Sequence, residues 1–98
     1  MNSATITART RDQLANGDAQ RISQAAFAVI DALQTRDDLL PGEFLGAITA
    51  TFILTLEATK LPASDVFGFT RNLMADDLGR KPEFKAITEY LKKEVLSI

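Results

Sequence analysis

The chain has 98 residues, 11 Lys and Arg against 13 Asp and Glu, and a formal net charge of -2. Hydrophobic residues make up 46% and charged residues 24%, which fits one globular domain and not a disordered, collagenous or membrane-embedded chain. The absence of cysteine and histidine excludes disulfides, thiolate zinc sites, cysteine nucleophiles, and the commonest general base and transition-metal ligand.

Residues 1–17 are rich in Thr, Ser, Ala and Asn and close on the turn signal Asn16-Gly17. They are expected to form a flexible N-terminal arm, with at most a helical turn over 11–15 capped by Thr10 and Gln13. The segment has no apolar run of signal-peptide length, so a cytoplasmic location is the expectation.

Asp18 is placed to cap a helix over about 19–36, whose face carries Ile22, Ala26, Val29, Ile30 and Leu33 at helical spacing. Pro41 opens a second helix to about residue 60, with Glu43 at its positive end. Phe44, Leu45, Ile48, Phe52 and Leu56 form its main stripe, and Ala47, Ala50, Ile53 and Leu54 form another on the far side. The thirteen residues from Phe44 to Leu56 include three threonines and no charge. That run is shorter than the roughly 20 apolar residues of a membrane span. A helix apolar nearly all round must be covered nearly all round.

Pro62 stops that helix and introduces a third over about 63–78, with Val66, Phe67, Thr70, Leu73, Met74 and Leu78 on one face and Gly79 ending it. Pro82 and Glu83 open a fourth over about 82–96, with Phe84, Ile87, Leu91, Val95 and Ile98 inward and a Glu89–Lys93 pair outward. No segment alternates strongly enough to demand a strand; Ala4 to Ala8 alternates weakly. The expectation is an all-α, four-helix antiparallel bundle-like domain over residues 18–98, carrying the arm.

The run Asp37-Asp38-Leu39-Leu40-Pro41-Gly42-Glu43-Phe44 resembles Asp76-Asp77-Leu78-Gly79-Arg80-Lys81-Pro82-Glu83-Phe84. In both, leucine would plug the core end, proline would start the next helix, and glutamate would complement its dipole. In an antiparallel bundle these connections share one end and gather Asp37, Asp38, Asp76 and Asp77. Residues 31–77 carry eight acids and three bases, whereas residues 78–98 carry five bases and three acids. Two uses of the acidic end follow: a surface for a larger protein partner, or a carboxylate-based divalent-metal site with hydrolytic chemistry. With no D-x-D-x-D-G spacing, no metal ligand is assigned.

No catalytic residue and no cofactor is assigned. Ser64 beside Asp65 reads as a helix cap without a triad, and the five glycines form neither a phosphate loop nor a dinucleotide motif. The acidic balance argues against duplex nucleic acid, since the helix over 63–78 sets Arg71 and Asn72 among Asp65, Asp76 and Asp77. The ending Leu96-Ser97-Ile98 has the form of a terminal peptide ligand, but core packing of Ile98 is the preferred reading. The leading expectation is a non-catalytic protein-interaction module that self-associates as a homodimer. Its interface is expected to use Phe27, Ala50, Ile53, Leu54 and Phe69, the apolar residues left over once each helix has one covered stripe.

Overall fold

The computed structural model describes residues 2–97. Its helices begin where the caps dictate. Asn2 accepts the Thr5 N–H at 2.8 Å and starts α1 (Ser3–Ala15). Asp18 accepts the Gln20 and Arg21 N–H groups at 2.9 and 3.1 Å and starts α2 (Ala19–Gln34). Glu43 reaches back 2.9 Å to the Leu40 N–H at the head of α3 (Pro41–Thr59), which Lys60 ends in the left-handed region at φ 59°. After Leu61-Pro62 the chain turns by 114° into α4 (Ala63–Met74). A hairpin of two short antiparallel strands, β1 (Ala75–Asp76) and β2 (Gly79–Arg80), leads to α5 (Pro82–Tyr90). One π-helical turn, Leu91–Val95, follows, closed by the Leu96 N–H on the Leu91 carbonyl at 2.8 Å.

The protein is mostly helical, and several expectations are corrected in detail. Residues 3–15 are a helix docked on α4 and α3, not a flexible arm. The Thr7 hydroxyl donates to the Thr59 carbonyl at 2.8 Å, and the Arg11 guanidinium lies 5.5 Å from the Phe69 ring centroid and 3.7 Å from the Asp65 carboxylate. Thr10 caps nothing; its hydroxyl donates to the Ile6 carbonyl one turn back. Helix α4 ends at Met74, four residues short of expectation, because residues 75–80 pair as a hairpin whose turn holds Gly79 at φ 107°. Leu78 rides on that turn, 94% exposed, and plugs no core. Ser64 makes no capping bond; the Pro62 carbonyl accepts the first N–H groups of α4 instead. Ile98 lies outside the described residues.

The helices also depart from an antiparallel bundle. Phe27 meets the Tyr90 ring edge-on at 4.9 Å, Tyr90 donates to Gln34 Oε1, and Gln34 Nε2 donates to the Glu94 carbonyl at 3.3 Å. Rising positions on α2 meet rising positions on α5, so these helices run parallel. The 114° bend between α3 and α4 falls short of the near-reversal that an antiparallel bundle needs.

The core is thin. Among the described residues, Ile30, Phe44, Leu61, Leu73 and Phe84 are buried apolar side chains and Ser23 is a buried polar one. Phe44 and Phe84 both follow a helix-opening proline and a first-turn glutamate, so that part of the repeated junction does anchor the core.

Candidate interaction surface

Helix α3 is the most apolar element, yet of its 19 residues only Phe44 is buried. Its inner side touches the rest of the chain through Phe44, Ile48, Phe52 and Thr59. Phe52 packs on Phe67 of α4 with ring centroids 5.1 Å apart, and Arg71 covers the other part of Phe67 at 5.3 Å. Between α2 and α3, Val29, Ala32, Leu33, Ala47, Ile48, Thr51 and Phe52 border a shallow apolar cleft of about 390 Å³.

Among the described residues, nothing covers the outer side. Gly46, Thr49, Ala50, Ile53, Leu54 and Glu57 are all exposed, Ile53 at 49% and Leu54 at 63%; Leu45, 65% exposed, lies on the Phe52 side of the helix. A Cβ built on Gly42 or Gly46 would meet nothing within 4 Å, so neither glycine is explained by a close crossing inside the chain. Glycine inside a helix costs about 0.5–1 kcal/mol relative to alanine.

The threonines sharpen the picture. Thr49, Thr51, Thr55 and Thr59 each donate the side-chain hydroxyl to the carbonyl four residues back, at 2.9, 2.8, 2.7 and 2.9 Å. Each hydroxyl is satisfied inside the helix and leaves a methyl group pointing outward. From Phe44 to Leu56 the helix thus carries no side chain whose polarity demands water. Covering residues 44–56 of this face would strand no hydrogen-bonding group, with Glu57 left at the rim beyond them.

Of the expected interface residues, Ala50, Ile53 and Leu54 lie together on this outer face. Phe27 lies elsewhere, against Tyr90, on a groove of about 560 Å³ between α2 and α5 that Ala86, Ile87 and Glu83 also line. Phe69 is half-buried beneath Arg11 on the α1–α4 side. Sequence reasoning assigned both to the interface because each sits at a stripe margin, and stripe margins do not reveal which neighbour arrives. Leu45 was assigned to the core and is exposed instead.

The acids do not gather. Asp37 and Asp38 follow the C-terminal end of α2, where Asp37 shares a small cleft with Glu94, Val95 and Leu96. Asp76 and Asp77 sit on the hairpin that precedes the N-terminus of α5. Because α2 and α5 are parallel, the two pairs lie at opposite ends of that helix pair. Among the described residues no group of three or more carboxylates is close enough to hold a metal ion. Asp38 pairs locally with Arg36, whose Nε and Nη2 donate to its two oxygens at 3.0 Å each. That bond holds the Asp38 carboxyl below its ordinary range and raises the Arg36 guanidinium. Asp76 Oδ1 accepts the Leu78 N–H at 2.9 Å and shapes the hairpin turn.

No single helix among the described residues is long and apolar enough to cross a membrane; only α3 and α4 taken together, across their bend, have the length and composition. Comparison with protein-family models, with curated proteins and with solved structures finds no match for the chain.

Proposed function

We propose that this chain is a non-catalytic helical module that works by self-association, a second copy covering the outer face of α3. One observation carries the reading: the most apolar helix buries a single residue, and its outer half is a continuous, hydrogen-bond-satisfied apolar face. Flat apolar faces of this kind are the ones soluble proteins bury against partners. The acids Glu43 and Glu57 flank the face where a membrane-surface helix would carry lysine and arginine, which favours a protein partner over lipid.

Sedimentation of the full chain tests the reading. A species of twice 10.7 kDa is expected at micromolar concentration, dissociating on dilution. A lone 10.7 kDa species persisting at high micromolar concentration overturns it.

A further inference from the structure

The chain exposes 7135 Å², whereas a compact monomer of 10.7 kDa exposes about 5,500 Å². Its radius of gyration is 14.9 Å, against about 12.6 Å for a compact domain of this length. The surplus, roughly 1,600 Å² per chain, is about twice what each partner contributes to an interface of standard size. The open shape thus leaves uncovered the area that an obligate pair of chains would share.

The outer face of α3 has a pattern that specifies how a copy of itself would sit. Around Ala50, at the helical 100° per residue, the flanking positions fall in mirrored pairs: Gly46 and Leu54 at 40° to either side, Ala47 and Ile53 at 60°, Glu43 and Glu57 at 20°. We infer that two α3 helices cross antiparallel with Ala50 on the two-fold axis, Leu54 of each copy filling the open space over Gly46 of the other. The inference rests on the self-association reading and adds the partner surface and its register.

Two physical terms favour this register. Leu54 is a large side chain at 63% exposure, and Gly46 opposite has nothing within 4 Å of where a Cβ would stand, so large meets small. Antiparallel order opposes the two helix dipoles. It also sets Glu57 across from the partner's Glu43, a like-charge contact softened by the positive end of that helix and by the turn of Glu43 toward the Leu40 N–H. A two-fold contact of this kind closes on itself and stops at two chains.

The native chain has no cysteine, so single substitutions report proximity without background. Under mild oxidation, A50C chains are expected to cross-link to themselves, and a mixture of G46C and L54C chains to each other, while G46C alone does not. Self-cross-linking of G46C with no mixed product would mean parallel order and overturns the register. A steric variant gives an independent readout. A Cβ at Gly46 meets nothing within 4 Å, so the circular dichroism of G46L is expected to stay helical while its dimer dissociation constant rises about tenfold or more. If the wild type sediments as a dimer but G46L pairs as tightly and A50C fails to cross-link, the register is wrong and self-association stands. If the wild type is monomeric, both fall together.

Discussion

Three single positions show how local backbone chemistry sets the energetics of this chain. Lys60 closes α3 in the left-handed region, where a side chain is strained and glycine is not. K60G is therefore expected to raise stability by about 0.5–1 kcal/mol, read as a higher Tm or a higher denaturant midpoint at unchanged m-value. Gly68 is the converse case. It lies inside α4 with nothing within 4 Å of a built Cβ, so G68A should stabilise by a similar amount, about 0.5–1 kcal/mol. Gly17 differs, because a Cβ there would stand 2.8 Å from Ile22 Cδ1 and 3.2 Å from the Leu14 carbonyl oxygen. G17V should destabilise by about 1–3 kcal/mol by crowding the Leu14 carbonyl and Ile22 at the turn between α1 and α2. The Asp38 carboxyl, lowered by its bond to Arg36, helps the fold at neutral pH and loses that contribution as pH falls through its depressed value. The pair is fully solvent-exposed, so D38N should change the acid limb of the unfolding curve little.

At the level of elements, the two proline-glutamate-phenylalanine helix starts and the hairpin respond differently to mutation. Phe44 and Phe84 are among the few buried side chains, so F84A should cost about 3–5 kcal/mol and remove most cooperative unfolding. Leu78, at 94% exposure, touches too little to matter for folding, and L78S should shift stability by less than about 0.5 kcal/mol. A sequence reader expects the opposite ranking, since Leu78 continues the apolar period of α4 and sits before a glycine that reads as a helix stop. The hairpin prevails because Asp76 takes the Leu78 N–H and Gly79 adopts positive φ, which together reverse the chain two residues after Met74. Helix α1 is hidden from a sequence reader for another reason. Its apolar face is only Ile6 and Leu14, and what holds it is polar: the Asn2 cap, the Thr7 hydroxyl on Thr59, and Arg11 between Asp65 and Phe69. Periodicity of hydrophobicity cannot register such contacts.

For the whole molecule, the thin core and surplus surface predict a stability tied to protein concentration. Under the proposed self-association, thermal midpoints should rise with chain concentration, because a second copy would bind the folded state and not the unfolded one. The contact face carries no charge from Phe44 to Leu56, and the chain has no histidine, so pairing should be insensitive to pH between about 6 and 8. Raising NaCl from about 0.05 to about 0.5 M should leave the dissociation constant unchanged or slightly tighter, as apolar contacts gain while screened charges lose. A dissociation constant that rises steeply with salt would point to a charged surface instead.

The amino-acid order was enough to establish the helical class, the starts of α2, α3 and α5 at Asp18, Pro41 and Pro82, and the excess of apolar circumference on α3. Caps, prolines and periodicity act within one or two turns, and such local interactions are written in adjacent residues. Which way the helices run, where the acids fall and which side of α3 stays bare were decided only by the assembled chain. In place of the expected antiparallel bundle stands an open array, with a 114° bend between α3 and α4 and with α2 and α5 parallel. Those outcomes depend on contacts between residues far apart in sequence, such as Phe52 with Phe67 and Gln34 with Tyr90, whose geometry no local pattern encodes.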